Sequence, residues 1–289
     1  MEILTGEKIL FKCDHILGTT KSLFYNPYVR DNKDNIHSKC KFLMTNKIEL
    51  DNKILDNKRL VYLCGDILYS SNGLGILISN LKLLKNKFVL ITHNSDYNHG
   101  KELLKIFEQV PNLEKIYCQN MNIVNEKILP LPIGLANSQW KHGNEVVFKE
   151  VYNKKIEKSN DIYFYFKVET NNVRRNECLN ALEGKIKWSL QKNNIKRYFE
   201  YLKSHKYCIS PVGRGIDCHR FWECIYLNVI PICKRNILVE YYAKYFNIVI
   251  VDDWNDVNVK DLLDNYKGCN NDKNLLSFNN LTHNVFNNN

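Results

Sequence analysis

The residue types with the most chemical potential fall into four groups. The densest is Tyr207 to Cys233, YCISPVGRGIDCHRFWECIYLNVIPIC, where Gly213 and Gly215 bracket Arg214 and are followed by Asp217, His219, Arg220 and Glu223. Cations interleaved with glycines at a helix start suit a phosphorylated ligand, because free backbone amides and fixed positive charge converge there. His93-Asn94-Ser95-Asp96 follows an apolar run, and an imidazole or carboxylate at such a tip can take a proton from a hydroxyl. Asn137, Gln139, Trp140 and His142 combine amides with an aromatic face, a set suited to a sugar. Thr170-Asn171 precedes Arg174-Arg175, a second place from which an arginine can reach an anion.

The elements that must position these groups are legible around the first of them. Tyr207-Cys208-Ile209 reads as a strand stopped by Ser210-Pro211, and the glycines make the tight loop. Asp217 stands where an N-cap would satisfy first-turn amides, Phe221, Trp222, Ile225 and Tyr226 recur at helical spacing, and Val229 to Ile232 is the next buried strand. This is a βαβ unit whose loop is expected to hold the diphosphate of an activated sugar.

Elsewhere the pattern predicts strands at Arg59–Tyr69, Lys87–Thr92, Leu113–Cys118, Asp161–Phe166 and Ile248–Val251, and short ones at Ile9–Phe11 and Trp188–Leu190. Helices are expected around Leu77–Leu84 and at Lys101–Gln109, Arg174–Leu182, Ile195–Ser204, Leu238–Tyr245 and Val259–Tyr266, with a turn at Phe24–Pro27. Leu129 to Leu135 carries two prolines, too many for a central strand, and reads as a rigid crossover. The polar stretch 144–160 is expected to link two halves, and the asparagine-rich end has Leu276, Phe278 and Phe286 as its docking residues. Two strand-helix series imply an α/β protein of two Rossmann-like lobes facing across a cleft, with His93 to Asp96 on one side and Gly213 to Gly215 on the other. The expected division is 1–145, an acceptor-side lobe, 146–270, a nucleotide-sugar lobe, and a tail at 271–289.

Composition narrows the function class. The chain has 289 residues and a net charge of +10, but its lysines are scattered rather than gathered into an arm, so a solvated surface is favoured over nucleic-acid binding. Ten cysteines without a Cys-x-x-Cys pair match no zinc spacing and read as reduced, mostly buried thiols. No apolar run approaches membrane-spanning length and the first residues lack a signal-peptide pattern, which points to a cytoplasmic protein without a transmembrane segment. There is no Walker-type Gly-Lys-Ser/Thr loop, and Asp252-Asp253 lacks the spacer of a metal-holding DxD pair.

The run RFWECIYLNVIPIC resembles the donor-site segment of exostosin-type glycosyltransferases, with Arg220 and Glu223 at the places of that family's arginine and glutamate. Together with HNSD at 93–96 and LPIGLANSQWKHGN at 131–144 it is similar to exostosin-like reading frames of large DNA viruses and algae, and more distantly to the alpha-1,3-fucosyltransferases. The likeness covers roughly residues 87–253 and departs from the family at Asn228, where glycine is usual. It implies a GT-B fold in which Arg220 neutralises the nucleotide diphosphate and Glu223 binds the ribose; the alternative for Glu223 is a helix-internal salt bridge. It also implies a second phosphate contact from Arg175 or Arg174. The expected donor site is thus Arg174, Arg175, Gly213, Arg214, Gly215, Asp217, His219, Arg220 and Glu223. Asn94, Asn137, Gln139, Trp140 and His142 form the acceptor site, and His93 or Asp96 is the base, with Asp217 and His219 as rivals. The partners implied are a nucleotide sugar and a glycan or glycoprotein acceptor, with inverting transfer and neither metal nor other cofactor. A catalytically inactive sugar- or nucleotide-binding partner in a glycosylation complex is the alternative, and a basic nucleic-acid-binding protein the remote one.

Overall fold

The computed structural model describes residues 3–18, 40–42, 60–69, 72–190, 192–277 and 280. The turn expected at Phe24–Pro27 and the docking of Phe278 and Phe286 lie outside the described residues. The chain divides into two compact units. The N-terminal unit comprises Leu4–Ile133 and Asn137–Gln139; the C-terminal unit comprises Met1–Ile3, Gly134–Ala136 and Trp140–Asn289. Each is an α/β unit around one parallel sheet.

The N-terminal sheet has β1 (His15–Gly18), β2 (Cys40–Phe42), β3 (Leu60–Cys64), β4 (Phe88–His93), β5 (Leu113–Cys118) and β6 (Ile128–Pro130), in the order β2-β1-β3-β4-β5-β6. All pairs are parallel. The order reverses between β1 and β3, and at such a reversal the crossovers diverge and leave a crevice at the carboxyl ends of the strands. Every residue of β4 is buried, as a strand covered on both faces requires. Among the described residues its helices are α1 (Gly6–Lys12), α2 (Gly73–Leu81) and α3 (Lys101–Gln109).

Three expectations are corrected here. Ile9–Phe11 is not a strand but part of α1: Thr5 caps it by accepting from Lys8 N (3.3 Å), and Ile9 and Leu10 bury its inner face. The run Arg59–Tyr69 is not one strand, because it ends at Cys64 and turns into a 3-10 helix, Gly65–Tyr69. Gly65 makes that turn against side chains so near that a Cβ would lie 2.7 Å from Ser95 Cβ and 2.8 Å from His99 Nε2. Gly65→Ala is therefore expected to cost about 1–3 kcal/mol through overpacking; an unchanged urea midpoint would show that the neighbours yield freely. The crossover at 129–135 begins with β6, which tolerates Pro130 because it is an edge strand and needs no donor on its open side.

The C-terminal unit contains α4 (Glu145–Asn153), β7 (Asn160–Tyr163), α5 (Asn172–Leu182), α6 (Ile195–Lys203), β8 (His205–Ile209), α7 (His219–Tyr226), β9 (Ile230–Lys234), α8 (Ile237–Tyr242), β10 (Val249–Val251) and α9 (Val259–Asp264). Its parallel strands lie in the order β10-β9-β8-β7. Alternation sends Tyr207, Ile209, Ile230 and Ile232 to one face, where they pack with Cys178 and Leu182 of α5 and with Trp254. On α4, α6 and α7, Phe148, Phe199 and Tyr226 meet edge to face. Every residue of α7 from Phe221 to Tyr226 is buried, so this helix runs through the interior.

The stretch expected as a linker holds α4, capped by Asn144 and docked through Phe148 and Val151. Trp188–Leu190 forms no strand. Ser189 N donates to Phe164 O (2.8 Å) and Ser189 Oγ accepts from Phe164 N (2.9 Å), which satisfies the edge past β7 without a ladder. Leu276 is buried, and Asn271 Oδ1 accepts from Asn247 N (2.8 Å). Nine cysteines among the described residues are free thiols. No helix among the described residues is long and apolar enough to cross a membrane.

Candidate functional site

In the C-terminal unit the groups converge on the loop between β8 and α7. Ser210 N donates to Ile232 O (2.9 Å), which sets where the loop leaves the sheet. From α5, Asn171 does two things: its Oδ1 caps the helix at Arg174 N (3.2 Å) and its Nδ2 donates to Gly213 O (2.7 Å). Arg175 Nε donates to Val212 O (3.0 Å) and Nη1 to Lys167 O (2.6 Å), while its guanidinium lies over the Phe166 ring. Nη2 stands 3.7 Å from the place a Cβ would take on Gly213. Burial pushes the pKa of Arg175 down from its ordinary value, neighbouring Arg220 acts in the same sense, and among the described residues no carboxylate pairs with it. Arg174 instead faces solvent and pairs with Glu177 (3.5 Å). Arg214 is exposed at the tip of the loop.

Asp217 does not cap α7. The N-cap is Cys218, which supplies no side-chain cap hydrogen bond, and Asp217 Oδ1 accepts from Trp222 Nε1 (2.8 Å) inside the core. An indole N–H buried with its ring needs an acceptor, and that demand outweighs the cap. At the first turn of α7, Phe221 N donates to Cys218 O (3.1 Å). His219 Nδ1 donates to Gly134 O (2.9 Å), a carbonyl presented by a glycine at φ 68°. The His219 ring lies 6.0 Å from that of His142, on which Trp140 stacks at 6.5 Å. Trp140 and His142 thus belong to the same compact unit as the glycine loop, not to the N-terminal unit.

Arg220 and Glu223 are inward. Arg220 Nη1 donates to Tyr165 O (2.9 Å), Nε lies 3.4 Å from Glu223 Oε2, and the guanidinium sits over the rings of Tyr163 (5.1 Å) and Tyr198 (5.3 Å). The Tyr198 hydroxyl donates to Glu223 Oε2. The side chain of Glu223 is 4% exposed and that of Arg220 23%, so the arginine keeps an outward portion and the glutamate essentially none. The side chains make the helix-internal pair. Burial raises the Tyr198 hydroxyl well above its ordinary pKa, and bonding to Glu223 adds to this, so it stays a donor. Asn228 has φ 53°, a left-handed position that explains why glycine or asparagine suits the turn into β9.

In the N-terminal unit the polar cluster lies at the strand tips. Glu7 N donates to Asn137 Oδ1 (3.0 Å), Asn137 Nδ2 to Asn94 Oδ1 (3.2 Å), and Asn94 Nδ2 to the Tyr62 hydroxyl (2.9 Å). The backbone donor fixes which way both amides point. His93, 1% exposed, then has Asn94 Oδ1 3.3 Å from Nδ1 and Pro132 O 3.2 Å from Nε2. Two acceptors facing two ring nitrogens make His93 a brace of the cluster rather than a base open to substrate. Asp96 is exposed. Gln139 presents a buried Oε1 without a hydrogen-bond partner among the described residues.

Three contributors escaped the sequence reading. Glu7 accepts from Ser138 N and Oγ (3.2 and 3.0 Å). Asp66, at the tip of β3, has its carboxyl pKa raised by burial and by Asp96, against a Ser95 hydrogen bond. The interruption Cys64-Gly65-Asp66 in an apolar run was the available signal. His99 is fully buried, and neither ring nitrogen has a hydrogen-bond partner among the described residues.

No family model and no curated protein matches the chain.

Proposed function

We propose that the chain is an exostosin-like glycosyltransferase of GT-B fold that moves a sugar from a nucleotide diphosphate to a hydroxyl of a glycan or glycoprotein, by inversion and without a metal. The observation that carries this reading is Arg175: a half-buried guanidinium without an acid partner among the described residues, held against Gly213 beside the uncapped start of α7. Such a charge, poorly hydrated and next to a second arginine, is stabilised by an anion. Backbone amides and two guanidinium groups around one glycine loop suit a diphosphate, whose charge grows as the anomeric carbon–oxygen bond breaks.

In this reading Arg175, the outward part of Arg220, Arg214 and the amides after Gly215 hold the diphosphate, and His219, Trp140 and His142 border the sugar. Glu223 holds Arg220 in place and does not bind the ribose. The acceptor oxygen attacks the anomeric carbon as its proton passes to a carboxylate or imidazole base, and the nucleoside diphosphate leaves with the bonding pair. His93 positions Asn94 and Asn137 for the acceptor.

Calorimetric titration with UDP, GDP and CMP and their sugars, with EDTA and with manganese, tests the reading. Saturable binding of one nucleoside diphosphate, indifferent to EDTA, is expected. Binding without transfer to any acceptor would leave only the partner role, and salt-dependent RNA or DNA binding in place of nucleotides would replace the proposal. Arg175→Ala is expected to weaken nucleotide binding by on the order of 2 to 4 kcal/mol, whereas Arg174→Ala leaves it unchanged. Equal losses from the two would remove Arg175 from the site.

A further inference from the structure

Trp188 is 38% exposed although its ring packs on three others, Phe164 (4.7 Å), Phe166 (5.3 Å) and Tyr165 (5.4 Å). A tryptophan so anchored holds its remaining face rigidly toward solvent, at little entropic cost to a planar ligand. It borders a pocket of about 620 Å³ whose other walls include Phe164, Leu179, Ile186, Glu183 and Lys187, a volume within the range of small-molecule sites. Glu183 and Lys187 are exposed and carry no ion pair among the described residues, so an acceptor and a donor stand open at the rim of an aromatic wall.

The position of this pocket relative to Arg175 gives it a meaning. Leu179 and Glu183 follow Arg175 by four and eight residues along α5 and its C-cap. Leu179 therefore lies one turn beyond Arg175 on the same helix face, about 6 Å along the axis, and Glu183 stands where the helix ends in extended backbone. The two sites also share the tip of β7, where Phe166 lies under Arg175 and Tyr165 O receives Arg220. A ribose bridges an interval of that size between a diphosphate and a heterocycle.

We infer that the Trp188 pocket receives the nucleobase of the ligand whose diphosphate lies at Arg175. The base stacks on the indole, Glu183 accepts from a ring or exocyclic N–H, and Lys187 donates to a ring acceptor or carbonyl. This inference rests on the nucleotide reading of the glycine loop and adds the group that makes the site prefer a nucleotide to a bare diphosphate.

The test compares inorganic pyrophosphate with UDP and GDP, by calorimetry on the full chain and its Trp188→Ala and Trp188→Phe variants. One nucleoside diphosphate is expected to bind at least about tenfold more tightly than pyrophosphate, the scale of one base–aromatic stack. In Trp188→Ala that advantage disappears while pyrophosphate affinity is unchanged; in Trp188→Phe most of it survives. If Trp188→Ala does not fold, fluorescence decides: nucleotide quenching present in the wild type is absent in Trp188→Phe, and pyrophosphate quenches neither. Pyrophosphate binding with no nucleotide advantage, or an advantage or quench that Trp188 substitutions leave intact, overturns the base pocket and spares the diphosphate site. Failure of pyrophosphate and both nucleotides to bind overturns both.

Discussion

Glu223→Ala is expected to destabilise the C-terminal unit by about 3 kcal/mol, and Glu223→Gln by clearly less. The carboxylate is buried between the Tyr198 hydroxyl and Arg220 Nε, 3.4 Å away. Truncation leaves a cation under two tyrosine rings without its counter-charge and a buried hydroxyl without its acceptor. Breaking a buried pair from one side costs about 3–5 kcal/mol, and solvent reaching the outward part of Arg220 places this case at the low end. Glutamine keeps an acceptor for Tyr198 and loses only the charge. Urea unfolding of the three proteins reads the difference, and nucleotide titration of the folded Gln variant reads the role. A ribose ligand would show wild-type stability with lost affinity in Glu223→Gln, the reverse of what the geometry requires.

Acidification from pH 6.5 to about 4 is expected to cost the protein up to about 3 kcal/mol through His99 alone. Burial lowers the pKa of this imidazole from 6.5 to about 4, with Glu102 opposing. The unfolded chain takes up a proton at His99 as pH falls through 6.5, whereas the folded chain resists until about 4, so the unfolded state gains over that window at about 1.4 kcal/mol per pH unit. Above pH 6.5 the residue contributes no slope. Asp66 works the other way, since its raised carboxyl pKa makes the folded chain the better proton acceptor there. Stability curves for wild type and His99→Gln between pH 4 and 7 isolate the histidine: the variant should lose the steep acid side. Parallel curves would show that His99 titrates normally despite its packing against Gly65 and the Tyr69 ring, whose centroid lies 5.5 Å away.

Much of the fold was legible because it depends on local order. The apolar run at Phe88–His93 reads as a strand covered on both faces, Leu113–Cys118 as a short strand with a charged start, and Lys101–Gln109 has the helical period over its whole length. The glycine loop with a helix after it was legible for the same reason, since its strand, turn and helix follow one another in the chain. Even the departure at Asn228 keeps the left-handed turn that the position demands.

What tertiary structure decided were the partners. Asp217 has the residue type of a cap, yet Trp222 claims it, because a buried indole N–H must be satisfied before a helix end that water or a ligand can reach. Arg174 and Arg175 are indistinguishable in sequence; the direction each takes from α5 sends one to solvent and the other to Gly213. Trp140 and His142 read as companions of Asn137, but they cluster with His219. Composition and periodicity determined that this chain is an α/β protein with a glycine loop between a strand and a helix. Which charges face that loop and which are spent on the core was decided only by packing, since a side chain's free energy depends on partners that the linear order does not specify.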